Sequence, residues 1–182
     1  MGYRTLRACL DDLEATGQLV RIEEPVDPHL EAAEIHRRVC RAGGPAVLYA
    51  RPTGCAFPLV SNLFGTIERV RYLFRDTLDD VGRLVQLKID PAELLRRPGQ
   101  WFATARAGLH ALPRRVKTGP VLANEIPLGS LPRVQSWPDD GGPFITLPQV
   151  YTEDPRHPGW RKSNLGMYRI QLAGNRYEAG RE

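Results

Sequence analysis

The chain changes its periodicity once, near Gly119, and that change constrains its fold more than any other feature. Before it, apolar residues recur at three- and four-residue spacing over long stretches, the pattern of helices with one buried face. After it, residues 119–170 are rich in Pro and Gly, carry short strand-like runs such as PVLANEI and FITL, and show no long helical pattern. A chain of 182 residues can bury a real core and lies at the scale of one large or two small domains. The sequence therefore predicts two units, residues 1–118 and 119–182, with the boundary at residues 113–119 beside Pro113.

The first unit reads as a mixed α/β (α+β) layer. Leu6, Cys9, Leu10 and Leu13 fall on one helical face, Thr5 can cap its start, and Gly17 can close its end. Residues 18–22 suit a short strand. Asp27 and Pro28 suit a helix start, and the apolar pattern then runs through Leu30, Ala33, Ile35 and Val39 to Gly43 and Gly44. AVLYA suits a buried strand, RPTG a turn, and residues 57–60 another strand. Residues 66–87 return to helical spacing, and Asp90 and Pro91 restart a helix with Leu94, Leu95, Trp101 and Phe102.

Composition narrows the function. Apolar residues make up 42% and charged residues 25%, ordinary for a folded protein. The net charge of +4 is mixed along the chain, and the basic run Arg106, His110, Arg114, Arg115 and Lys117 lacks interleaved aromatics, which argues against nucleic acid and for a solvated helix end. Cys9, Cys40 and Cys55 form no metal-binding pattern and fit a reducing, cytoplasmic setting, with Cys9 and Cys40 expected as small core residues. No apolar run has the length of a membrane span. His29 and His36 lack a carboxylate or Cys partner, and Trp101, Trp137 and Trp160 are assigned to packing.

The chemistry-bearing stretch is residues 144–172, FITLPQVYTEDPRHPGWRKSNLGMYRIQL. Asn164 offers a neutral carbonyl oxygen, a usable ligand for magnesium or manganese. Arg169 presents a planar, permanently charged fork suited to a carboxylate or phosphate. Positions five apart in a regular strand point to opposite faces, so both residues can serve one site only if the backbone is irregular near Gly166. Unbroken pairing over residues 163–172 would rule out a shared site. On composition alone, a surface Asn and a salt-bridged Arg remain the plainer account.

The chain resembles the N-terminal part of the UbiD family of decarboxylases, which use prenylated flavin mononucleotide. YRTLRACLDDLEATGQLVRIEEPVDPHLEAAEIHRRV, RAGGPAVLY and PLVSNLFGTIERV are similar to the family's N-terminal domain. WPDDGGPFITLPQVYTEDPRHPGWRKSNLGMYRIQLAGN resembles its flavin-site segment, in the branch of menaquinone-type decarboxylases. The resemblance implies a start of a split β-barrel over residues 119–182. It implies Asn164 as a ligand of the divalent metal, Mn or Mg, that bridges the flavin phosphate. Met167, Tyr168 and Arg169 match the run lining the cofactor, and Arg169 also matches the Arg of the catalytic acid–base network. The activity implied is removal of carbon dioxide from an aromatic or unsaturated carboxylic acid, in the manner of quinone biosynthesis. There the modified flavin forms an adduct with the acid and a Glu returns the proton.

Members of the family continue with a second cofactor strand bearing a metal-ligand His, a metal-ligand Glu, the proton-donating Glu and a C-terminal domain used in assembly. None of these falls within the 182 residues, so the expectation is a half site, with flavin and metal bound weakly or not at all by this chain alone and no activity by itself. A homo-oligomer, or a C-terminal portion as partner, is expected for a complete site. His157, Glu153 and Asp154 read as turn residues rather than substitutes. The competing expectation is a non-catalytic binding module that retains half of the fold and exposes apolar surface to a partner.

Overall fold

A computed structural model describes residues 2–92, 99, 101–110, 112 and 116–172. Leu94, Leu95, Pro113, Arg114, Arg115 and the side chain of Trp101 lie outside that description. Helix α1 (Leu6–Ala15) starts where Thr5 Oγ1 accepts from the Ala8 amide at 3.1 Å, and the turn beyond it closes at Gly17, whose φ of +70° favours a residue without Cβ. Cys9 and Leu13, one helical turn apart, are its buried face.

Strands β1 (Leu19–Ile22), β2 (Ala46–Tyr49) and β3 (Leu59–Ser61) form one sheet in that order. The pair β1–β2 is parallel and joined through helix α2 (Glu31–Arg41), whereas β2–β3 is antiparallel. All four residues of β2 are buried, and its two-residue period explains why. Ala46 and Leu48 pack with Cys9, Leu13, Leu19 and Leu73, while Val47 and Tyr49 pack with Val26 and Ala32 on the opposite face. The hydroxyl of fully buried Tyr49 donates to the Ala32 carbonyl at 3.1 Å, so its burial leaves no unpaired polar group.

Helix α2 begins later than Asp27 and Pro28 suggest. Asp27 Oδ1 accepts from the His29 amide at 2.8 Å, closing a local turn, and the Glu31 carboxylate reaches back to the Asp27 amide at 2.6 Å. Leu30 then takes a φ of 67°, and the Glu31 amide bonds the His29 carbonyl at 2.9 Å. This corner has an external partner: the Leu30 amide donates to the Gln135 carbonyl at 3.0 Å, and the Gln135 amide to the Pro28 carbonyl at 3.2 Å. Two main-chain bonds thus tie the later segment to the start of α2.

The helical pattern over residues 66–87 divides into α3 (Ile67–Leu73) and α4 (Leu78–Ile89). The break is fastened by Arg75, which reaches Asp12 at 3.0 Å and Tyr3 Oη at 2.8 Å, and lies 4.2 Å from the Tyr72 ring centre. A residue on α1 is thereby tied to the turn that ends α3. Helix α5 (Trp101–His110) packs against α4. Inside α3, Arg69 is only 4% exposed and has three carbonyl acceptors: Leu63 at 3.0 Å, Gly44 at 3.1 Å and Asn62 at 2.7 Å. It binds the turn before β2 to the turn before α3. Cys9 is buried as expected, but Cys40 is exposed, in the last turn of α2.

Past residue 116 the secondary structure is short. The PVLANEI run forms no strand; Pro120–Leu122 make a single 3-10 turn, since Pro120 cannot donate to a ladder and the Leu122 amide bonds the Gly119 carbonyl at 2.9 Å. Among the described residues four strands follow: β4 (Phe144–Ile145), β5 (Gln149–Glu153), β6 (Ser163–Met167) and β7 (Ile170–Gln171). They pair as two antiparallel ladders, β4 with β7 and β5 with β6.

Candidate functional site

The site-bearing run occupies β6 and β7. Strand β6 pairs with β5 in unbroken register, with Thr152 opposite Asn164 and Val150 opposite Gly166. Gly166 is therefore no bulge, and the irregularity expected there falls two residues later. After Met167 the chain leaves this ladder, and at Ile170 it joins β4 instead. Pairing across residues 163–172 is broken at Tyr168 and Arg169.

Gly166 matters for another reason. A Cβ at this position would stand 2.6 Å from Tyr168 Cε2, closer than nonbonded carbons approach. The missing side chain leaves room for the Tyr168 ring to fold back along the strand. Asn164, Gly166 and Tyr168 share one face by the two-residue period, and Asn164 Nδ2 donates to Tyr168 Oη at 2.9 Å. That bond fixes the amide with its nitrogen engaged, and among the described residues Oδ1 has no hydrogen-bond partner.

Arg169 is held elsewhere. Its Nη1 donates to Asp140 Oδ1 at 2.8 Å and its Nη2 to Asp140 Oδ2 at 2.5 Å, a two-pronged ion pair. The guanidinium lies 3.7 Å from the Phe144 ring centre and 5.3 Å from that of Trp137. Asp140 Oδ2 also accepts from the Ser136 and Trp137 amides at 3.2 and 3.1 Å. The Arg169 guanidinium, together with these two amides, pulls the Asp140 carboxyl down to about 2 and in turn raises Arg169.

Asn164 and Arg169 thus share no hydrogen bond; one is engaged by Tyr168 and the other by Asp140. Met167, on the alternate face of β6, is exposed. Asp140 and Phe144 escaped the sequence reading as partners of Arg169, and Trp137 is assigned there to packing. Asp140 stands 29 positions before its partner, and no local spacing signals such a pair. Trp137 and Trp160 are both more than half exposed rather than packed in a core, and each lies beside an Arg, Trp137 by Arg169 and Trp160 by Arg161.

The loop between β5 and β6 uses its acids structurally. Asp154 Oδ1 accepts from the Arg156 amide at 2.9 Å, His157 Nδ1 meets Asp154 Oδ2 at 3.2 Å, and Glu153 Oε2 accepts from the Gly159 amide at 2.7 Å. Among the described residues no three His, Cys, Asp or Glu side chains gather as a metal site. No described helix is long and apolar enough to cross a membrane.

Residues 10–88 match the 3-octaprenyl-4-hydroxybenzoate carboxy-lyase N-terminal domain, and residues 114–180 match the Rift-related domain of the same carboxy-lyase. An uncharacterized protein of Chlamydia trachomatis serovar D is 42% identical over 171 residues, which are 92% of this chain and 29% of that protein. The vanillic acid decarboxylase of Sedimentibacter hydroxybenzoicus, in its open form with truncated ShVdcD, is 28% identical with a TM-score of 0.69, over 96% of this chain and 37% of the other. An evolved dimeric form of the UbiD-class enzyme HmfF from Pelotomaculum thermopropionicum, in complex with prFMN, is 27% identical with a TM-score of 0.65, over 94% of this chain and 36% of the other.

The mixed helices and sheets, and the two domain matches in this order, define a carboxy-lyase fold. The chain belongs to the UbiD family and corresponds to its N-terminal portion. It spans about a third of the length of the relatives it matches.

Proposed function

We propose that this chain supplies the flavin-and-metal side of a UbiD-type decarboxylase site acting on an aromatic or unsaturated carboxylic acid, with prenylated FMN as cofactor. The observation that carries the proposal is the strand switch after Met167. It sets an Asn with a free amide oxygen on one ladder and a guanidinium at the start of the next, in the run that resembles the family's flavin segment. A neighbour of the same fold is bound to prFMN.

In this reading residues 1–118 are the mixed α/β scaffold and residues 119–182 the first part of the split barrel. Asn164 Oδ1 is offered to Mn or Mg because Tyr168 occupies the amide nitrogen. Met167 and Tyr168 line the flavin, and Arg169 holds the acid's carboxylate or a proton-donating Glu. When bound, the modified flavin supplies the electron-accepting group that lets carbon dioxide depart. Among the described residues the donor set fits the metal in kind but provides a single neutral oxygen, against about six for a hard cation. Binding by this chain alone is therefore weak, and an assembled homo-oligomer or a further portion of polypeptide completes the shell. A place in quinone biosynthesis follows from the family branch that the sequence resembles.

A second reading, a non-catalytic interaction module, draws on the apolar residues Leu165, Met167 and Tyr151, which are all more than half exposed on the β5–β6 ladder. Titration of the purified chain with FMN and Mn(II), read by flavin fluorescence and manganese electron spin resonance, separates the two. The enzyme reading expects a weak, Mn-dependent flavin response that Asn164→Ala abolishes. No flavin response at any Mn concentration, with a stable self-associated species on size exclusion, would establish the module instead.

A further inference from the structure

We infer that Asp140 is a positioning residue for Arg169: it fixes the guanidinium edge-on so that the remaining N–H donors face the acid. The inference rests on Arg169 being the acid-binding group of the proposed decarboxylase site. Its basis is geometric. Asp140 takes one hydrogen from each terminal nitrogen, at 2.8 and 2.5 Å, which leaves Nε–H and the second hydrogen on each terminal nitrogen available.

The clamp is itself clamped. The Asp140 side chain is 10% exposed against 34% for Arg169, and the Ser136 and Trp137 amides hold Oδ2 at 3.2 and 3.1 Å. A carboxylate serving only as a surface counter-ion would have no such support. Phe144, at 3.7 Å from the guanidinium, closes one face, and Trp137, at 5.3 Å, adds a second aromatic contact. Rotation of the fork is thus restrained by an acid and two rings that all belong to the 136–144 segment. Gln171 fastens the same loop from β7 by donating through Nε2 to the Gly141 carbonyl at 2.9 Å. A planar donor fork held this way loses little freedom on meeting a second carboxylate, which is how a positioned Arg differs from a loose one.

The test follows the Arg169 side-chain Nε–H by nuclear magnetic resonance in the 182-residue chain, assigned by its disappearance in Arg169→Lys. Benzoate serves as the carboxylate probe. In the wild type the Nε–H signal is expected to be rigid and to shift saturably with benzoate. In Asp140→Asn the rigidity should be lost while benzoate affinity changes by no more than about fivefold, because the lost preorganisation weakens binding and the removed neighbouring charge strengthens it. Asp140→Glu should restore part of the rigidity.

A merely structural role would instead lose the β4–β7 amide signals and benzoate binding together, which overturns the inference. So does an Nε–H signal as rigid in Asp140→Asn as in the wild type, or one that is mobile in the wild type. If Asp140→Asn does not fold, Asp140→Ser decides, since it also removes the carboxylate, and rigidity equal to the wild type overturns the inference. A wild-type signal that is rigid but indifferent to benzoate sinks the acid-binding role of Arg169 while the Asp140 restraint stands.

Discussion

Tyr168 folds back over Gly166 and accepts a hydrogen bond from Asn164 Nδ2 at 2.9 Å, so the ring, the gap and the amide form one unit along β6. Tyr168→Phe deletes the acceptor and leaves the amide free to rotate. Because Tyr168 is half exposed, stability should change by less than about 0.5 kcal/mol. Apparent Mn affinity should fall about tenfold, the usual effect of removing a group that orients a ligand. Gly166→Ala should give the same loss by driving the ring away. Thermal unfolding and manganese titration of both variants check this.

Arg69 is a buried cation that bonds carbonyls rather than a carboxylate. Arg69→Leu strands the Leu63 carbonyl and leaves the Asn62 carbonyl with the Gly65 amide at 3.3 Å, and should cost about 2 kcal/mol. Arg69→Lys should rescue less than half of that, since a single ammonium cannot span the three acceptors. Urea denaturation gives both values.

The two ends of the chain differ in how much they bury. Leu13 is fully buried between α1 and the sheet, so Leu13→Ala should cost about 3 kcal/mol. Leu165, on β6, is 64% exposed, and Leu165→Ala should stay within about 0.5 kcal/mol. Equal losses at both sites in thermal unfolding would contradict the arrangement of the core.

Among the described residues, two carboxyls are drawn well below the ordinary carboxylate range. Asp140 is drawn down to about 2 by Arg169, and Glu34 to about 2 by Arg37 and then Arg38. Their folded values lie below the unfolded ones, so their stabilisation is complete above the unfolded carboxylate range near pH 4 and is lost as pH falls toward 2. Stability should therefore vary little with these groups from pH 7 to 5 and decline below about 4. Urea midpoints measured through that window should fall less steeply in Asp140→Asn and Glu34→Gln than in the wild type.

Much of the first unit was legible because its signals are local. Thr5, the Leu6 to Leu13 spacing and Gly17 specify α1 without help from the rest of the chain, and AVLYA reads as a buried strand from its own composition. Where the reading failed, a distant residue intervened. The break between α3 and α4 coincides with Asp12 holding Arg75, and the delayed start of α2 with main-chain bonds to Gln135.

The same division holds at the candidate site. Residue chemistry singled out Asn164 and Arg169, the family resemblance added Met167 and Tyr168, and the two-residue period showed that residues 164 and 169 could not both face one way on a regular strand. Sequence by itself thus determined the family, the order of elements and the need for a break in β pairing. Tertiary structure alone decided where that break falls, that Gly166 makes room for a ring rather than a bulge, and that Arg169 is met by Asp140. Period and propensity act over a few residues, whereas strand switching and ion pairing across 29 positions depend on how the folded chain brings segments together.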